Sequence, residues 1–141
     1  MKFIYKIIST FFYLGYLPKA PGTWGTLGGL FIWFLIPEIL LLKFLIILFT
    51  LVLGLLACES LILDNKEKDP SYIVIDEVIG IWVSLFFIPK SIMLYLIAFM
   101  LFRFFDVLKP SFIYTAQSLK GSFGIMIDDI LSGILVALII W

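Results

Sequence analysis

The sequence predicts an all-α protein: a polytopic bundle of membrane helices with an N-terminal helix lying in the bilayer interface. Three observations predict it. The 141 residues are 63% hydrophobic and 18% aromatic against 14% charged. A domain of this size has too little interior to hide that much apolar surface from water, whereas a bilayer removes the need. Apolar runs of helical length alternate with short polar segments along the chain. The length suits one domain, residues 1–141, and not two.

The elements follow in order. Residues 1–17 carry Lys2 and Lys6 and place Ile4, Ile7, Ile8, Phe11 and Phe12 at helical spacing. Ser9, Thr10 and Gly15 break the run, and Lys19-Ala20-Pro21-Gly22 is a poor cleavage site. The segment is therefore read as a mature interfacial helix and not as a signal peptide. Residues 22–36 are glycine-rich and then apolar, and are short enough to be a re-entrant segment. Residues 39–58 are a full-length span of about 20 residues, interrupted only by Lys43. Residues 59–69 are polar. Residues 70–88 are apolar except for Asp76 and Glu77, and Pro89-Lys90 is a tight turn. Residues 91–105 are apolar except for Arg103. Residues 106–123 form the longest polar stretch, and residues 124–141 are apolar except for Asp128 and Asp129.

Five spans by simple alternation put residues 1–26, 59–77 and 103–129 on one side. That side holds Lys2, Lys6, Lys19, Lys66, Lys68, Arg103, Lys109 and Lys120, whereas only Lys43 and Lys90 fall on the other. The positive-inside rule makes the first side cytoplasmic. The polar segments thus meet at the cytoplasmic face.

Composition excludes several chemistries. Net charge is zero, so no basic field calls for nucleic acid. There is no histidine, which removes imidazole acid–base catalysis and His-ligated zinc. The single cysteine, Cys58, sits in an apolar run, so there is no internal disulfide and no Cys-rich metal site.

Four blocks carry the candidate chemistry. The first runs Pro18-Lys19-Ala20-Pro21-Gly22-Thr23-Trp24-Gly25-Thr26-Leu27. Gly22, Gly25 and Gly28 let backbone N–H groups approach an anion, a helix starting there adds its positive end, and Lys19, Thr23 and Thr26 add charge and hydroxyls. Spacing alone leaves this cradle and a tightly packed helix start both open. The second block has Asp69-Pro70, an N-cap and first-turn pair that predicts a helix start, followed by Asp76-Glu77 in an apolar helix. Capping accounts for Asp69 but not for Asp76 and Glu77, because carboxylates at membrane depth are costly and mark function. In the third block Arg103, Asp106 and Lys109 share a helix face among phenylalanines. In the fourth, Asp128-Asp129 open the last apolar helix; a charge–dipole contact there is worth about 0.3–1 kcal/mol.

Together Asp69, Asp76, Glu77, Asp106, Asp128 and Asp129 are candidate metal ligands. So many carboxylates in one place repel one another unless protonated or bridged by a cation. An all-oxygen set suits Mg²⁺, with Mn²⁺ or Ca²⁺ as alternatives. Lys19, Gly22, Thr23, Gly25, Thr26, Arg103 and Lys109 are the candidate phosphate-binding set, and Asp76, Glu77, Asp128 and Asp129 the candidate catalytic carboxylates. A metal beside such a cradle reads as a phosphate site, and a membrane setting makes the phosphate a lipid's.

At these blocks, which cover nearly the whole chain in order, the sequence resembles the phosphatidylglycerophosphatase A family. The matching residues are Pro18–Leu27 as written above, Asp69 with Val74-Ile75-Asp76-Glu77-Val78-Ile79-Gly80, Phe102-Arg103-Phe104-Phe105-Asp106 with Lys109-Pro110, and Gly124-Ile125-Met126-Ile127-Asp128-Asp129. The resemblance implies a Mg²⁺-dependent phosphatase of the bacterial inner membrane that hydrolyses phosphatidylglycerophosphate to phosphatidylglycerol and phosphate. Gly121-Ser122 stands where the family usually has Gly-Gly, and the family often has a second proline near Phe112. Both are loop positions and bear on loop shape more than on chemistry.

The chain lacks Asp-x-Asp, Cys-x5-Arg and histidine nucleophile patterns, which favours direct attack by an activated water with Glu77 or Asp129 as general base. Two other classes stay open: a cation or proton transporter, which needs carboxylates spread through the bilayer, and a non-catalytic membrane partner. Oligomeric state is not read from the sequence. Phosphate release with and without EDTA separates the three.

Overall fold

The computed structural model describes residues 1–66 and 70–141. Among them the regular structure is helical: seven α-helices and one 3-10 turn, at Leu14–Tyr16. The fold class expected from the sequence is met at that level.

The first helix, α1 (Lys2–Ser9), is amphipathic, with Phe3 and Ile4 exposed and Ile8 against the core. It packs along α3 (Leu40–Asn65). Thr10 ends it: its hydroxyl donates to the Lys6 carbonyl at 2.7 Å and accepts the Tyr13 N–H at 3.1 Å. The next three residues, Phe11, Phe12 and Tyr13, take φ values of 44°, 56° and 66°. This left-handed turn sends Phe11 inward, edge-on to Trp82, and Phe12 outward.

Helix α2 (Pro21–Leu35) starts with proline at its first position, where a missing N–H costs nothing. Gly22 and Gly29 lie against α4 (Ile75–Leu85), Gly25 against Val74 just before it, and Gly28 against Leu14 and Phe11. A methyl on Gly29 would stand 3.2 Å from Val78, and the indole N–H of Trp82 donates to the Gly29 carbonyl at 2.7 Å.

The sequence predicts a helix start at Asp69-Pro70. Pro70 to Val74 is instead a non-helical segment and α4 begins at Ile75. The cause is a tertiary tie: the Val74 N–H donates to the Ser9 carbonyl at 2.9 Å, pinning that strand of chain to the end of α1. The later start places Asp76 and Glu77 in the first turn of α4. Asp69 lies outside the described residues.

Helix α4 is the centre of the molecule and is buried almost along its length. It packs most extensively against α7 (Ser122–Ile140), which α5 (Ile92–Leu108) and α6 (Ser111–Gln117) flank. The crossing is close because both helices present glycine. A methyl on Gly133 would run into the Gly80 carbonyl, and one on Gly80 would stand 2.8 Å from the Asp129 carbonyl. Small residues of this kind let helix backbones approach without a strong hydrophobic drive.

Among the described residues two helices are long and apolar enough to cross a bilayer, Leu40–Asp64 and Ser122–Ile140. The other three expected spans are shorter: α2 has 15 residues, α4 has 11 and α5 has 17. At 1.5 Å per residue the 11 residues of α4 reach about 16 Å, half a hydrocarbon core of about 30 Å. Burial inside the bundle accounts for that length, since a helix shielded by its neighbours need not reach both interfaces.

At the end of the bundle away from Asp76 and Asp129, two lysines fold back onto the protein. Lys43 is 2% exposed; its ammonium meets Glu38 at 2.7 Å and lies 5.0 Å from the Trp33 ring. Lys90 donates to the Ile36 carbonyl at 3.0 Å, which serves the C-terminal end of α2.

Candidate active site

The crossing of α4 and α7 fixes where the acids go. Asp76 lies four residues before Gly80, and Asp129 four before Gly133, so each carboxylate stands one turn from the point of closest approach. Glu77 follows Asp76. One oxygen from each of Asp76, Glu77 and Asp129 lies within 4.8 Å of the others. Among the described residues these three are the group that could hold a metal ion. Asp76 and Asp129 are 8% and 2% exposed.

The group opens into a pocket of about 290 Å³. Its walls are the start of α2 (Ala20, Pro21, Gly22), the segment before α4 (Pro70, Ser71, Ile73), and Arg103, Asp106, Lys109, Asp128 and Asp129 from the other side. The cations are paired. Arg103 donates to Asp106 through Nη1, and Lys109 donates to Asp128 Oδ2 at 2.7 Å. The second oxygen of Asp128 accepts the Asp129 N–H at 3.0 Å. Burial works against the Lys109 ammonium, but the hydrogen bond and charge of Asp128, with Asp129 and Asp106 nearby, more than offset it and raise its pKa above the ordinary lysine value. Lys109 is thus held charged.

Asp76 Oδ1 and Glu77 Oε2 are buried and find no hydrogen-bond partner among the described residues. A buried acceptor left unpaired costs about 1–3 kcal/mol, more if charged. Orphaned carboxylate oxygens in a three-acid, sulfur-free and imidazole-free cluster fit a hard divalent cation.

Of the candidate ligands, Asp76, Glu77 and Asp129 form the compact group, and Asp106 and Asp128 line the same pocket bound to cations. Asp128 and Asp129 do not open their helix: α7 begins at Ser122, and no acid lies in its first turn. The helix-end dipole therefore does not account for them. Of the phosphate-binding candidates, Gly22, Arg103 and Lys109 line the pocket. A methyl on Gly22 would press on Glu77 Oε1 and stand 3.1 Å from Arg103 Nη1. Lys19 is exposed and outside the lining, with its carbonyl accepting the Trp24 indole N–H at 3.2 Å. Thr23 is also outside the lining. Gly25 packs on Val74, where a methyl would come within 2.6 Å. The buried Thr26 hydroxyl donates to the Gly22 carbonyl at 2.7 Å, within the helix.

Sequence reasoning did not find Glu59. It lies on α3, which continues past the expected end at Cys58, and its Oε2 accepts the Ser122 N–H at 2.9 Å, capping α7. A contact across 63 positions leaves no local pattern. Ser71, on the pocket wall, had only its place beside Asp69-Pro70 to mark it.

A family model described as phosphatidylglycerophosphatase A matches residues 7–141. A chain from Bacteroides thetaiotaomicron described as a candidate phosphatidylinositol-3-phosphatase is 39% identical, covering 94% of this chain and 88% of its own length. A phosphatidylglycerophosphatase A from Haemophilus influenzae is 39% identical over 90% of this chain and 80% of its own. One from Escherichia coli is 31% identical over 97% and 81%. No solved structure matches. With a match of this extent running through every wall of the pocket, the chain belongs to the phosphatidylglycerophosphatase A family.

Proposed function

We propose that this protein is a Mg²⁺-dependent phosphatase of the bacterial inner membrane that converts phosphatidylglycerophosphate to phosphatidylglycerol and inorganic phosphate. The observation that carries the reading is the meeting of Asp76, Glu77 and Asp129 beside Arg103 and Lys109 in one pocket. Two of the three relatives above carry the phosphatidylglycerophosphatase name.

Asp76, Glu77 and Asp129 would hold the ion, which when bound polarises the phosphoryl oxygens. Arg103 and Lys109 bind those oxygens and stabilise their charge. The N-terminal turn of α2 at Gly22 turns its positive end towards the same pocket. The Glu77 oxygen that does not hold the ion accepts a proton from the attacking water as the water's oxygen bonds to phosphorus. The ester P–O bond breaks, and the leaving alkoxide takes a proton from solvent water to become the lipid's glycerol hydroxyl, while Glu77 returns its proton to solvent. Before substrate enters, Asp128 keeps Lys109 in place. Lys19 and Thr23, at the outer edge of α2, meet the substrate before it enters.

A multi-pass arrangement with the pocket at the cytoplasmic face is supported by charge. Lys2, Lys6, Lys19, Lys66, Arg103, Lys109 and Lys120 lie towards the pocket end, against Lys43 and Lys90 at the other. In this reading α1 lies in the headgroup layer, with Phe3, Ile4 and Phe12 turned to lipid. A transporter is disfavoured because the acids gather in one pocket, from the first turn of α4 and the second turn of α7, and do not line a path.

The test is phosphate release by the detergent-solubilised chain from phosphatidylglycerophosphate and from phosphatidylinositol 3-phosphate, with EDTA and with Mg²⁺ restored. Release from the first that stops with EDTA and returns with Mg²⁺ is expected. Release untouched by chelation would remove the metal from the reading, and turnover of the inositol lipid alone would replace the substrate.

A further inference from the structure

Among the described residues Arg103 and Lys109 are the two cationic side chains lining the pocket, and each already holds a carboxylate from inside it. A phosphoryl group needs the same two cations. Once it takes them, Asp106 and Asp128 lose their counter-charges in a cavity that also holds Asp76, Glu77 and Asp129. Burial makes that loss expensive: Asp128 is 4% exposed, and Asp76, 8% exposed, already has an oxygen without a partner. With all five carboxylates ionised and a phosphoryl dianion bound, one divalent ion leaves three negative charges in excess. A second leaves one. The Asp106 carboxylate also faces that of Asp129, so the released groups adjoin the first ion's ligands.

We propose that phosphate binding builds a second divalent-cation site in this pocket: Arg103 and Lys109 change partners from Asp106 and Asp128 to the phosphoryl group, and the freed carboxylates take the second ion. This rests on the functional reading above, and adds that phosphate and the second cation bind cooperatively. The linkage is reciprocal, so each ligand tightens the other by the same factor.

The test counts Mn²⁺ bound to the full detergent-solubilised chain by electron paramagnetic resonance and calorimetry, alone, with inorganic phosphate, and with a non-hydrolysable phosphonate analogue of the lipid. One equivalent is expected without phosphate and two with it, and phosphate affinity should rise about tenfold with Mn²⁺. A second equivalent with both phosphate and phosphonate assigns the effect to the phosphoryl group; with the phosphonate alone, to the lipid headgroup. Asp106→Asn and Asp128→Asn should keep the first equivalent and lose the second. One equivalent in all conditions, or two without phosphate, overturns the proposal, and the wild-type count decides this even if a variant fails to fold. A second equivalent that survives both substitutions also overturns it. No Mn²⁺ in any condition overturns the metal reading of the site itself.

Discussion

Gly80 and Gly133 face each other where α4 crosses α7, so closely that a methyl on Gly133 would collide with the Gly80 carbonyl. The carboxylates of Asp76 and Asp129 stand one turn from this contact. The obstacle to a larger residue is backbone, which cannot rotate away. Gly133→Ala should therefore push the helices apart, costing about 1–3 kcal/mol of stability and spreading the acids. Thermal unfolding in detergent, with phosphate release on the same preparation, checks both effects. An equally stable and fully active variant would show that the crossing does not set the spacing.

Asp76→Asn and Asp129→Asn should separate stability from activity. Each removes one of several buried like charges, so the metal-free protein should unfold at the same temperature or higher. Turnover should fall by about 10²–10⁴-fold, the range for a lost proton-transfer or charge-stabilising group. A variant with near-normal turnover in excess Mg²⁺ would remove that residue from the site.

Lys109 and Asp128 should behave as a pair. Lys109→Met leaves a carboxylate that is almost fully buried without its partner, at a cost of about 3 kcal/mol. Adding Asp128→Asn should recover part of that stability, yet the double variant should stay inactive because the phosphoryl group has lost a cation. A double-mutant cycle on unfolding free energy and on kcat/KM measures the two separately. Additive stability effects would mean that the 2.7 Å contact carries no coupling.

Two glycines of the first block should respond differently. Gly22→Ala directs a methyl at Glu77 and Arg103, so KM should rise and kcat fall while the unfolding temperature changes little. Gly25→Ala meets Val74 instead and should lower stability by about 1–3 kcal/mol, with kinetics per folded molecule preserved. The reverse pattern would place the phosphate cradle at Gly25.

Glu38→Gln tests the far end of the bundle. It keeps a hydrogen-bond acceptor for the Lys43 ammonium, 2% exposed and beside the Trp33 ring, but removes the opposing charge. Stability should drop by about 1 kcal/mol, because Glu38 is half exposed and solvent screens the pair. Turnover of the folded fraction should not change. Loss of kcat at unchanged stability would connect this end to the chemistry.

The sequence determined the helical class, because so apolar a chain needs helices that satisfy their own backbone. It also determined which acids were out of place, since Asp76, Glu77, Asp128 and Asp129 interrupt runs that packing would fill with aliphatic residues. Helix boundaries were less legible. The start of α4 depends on a hydrogen bond from Val74 to Ser9, and that of α7 is capped by Glu59, both contacts between distant segments. Periodicity records what one helix buries, not what a remote residue ties down. Tertiary structure alone sorted the five described candidate ligands into three that converge and two held by cations. It also separated Gly22, at the pocket, from Gly25, in the packing. Residue type does not separate the members of either group; which neighbour a side chain meets is set by how α2, α4, α5 and α7 pack.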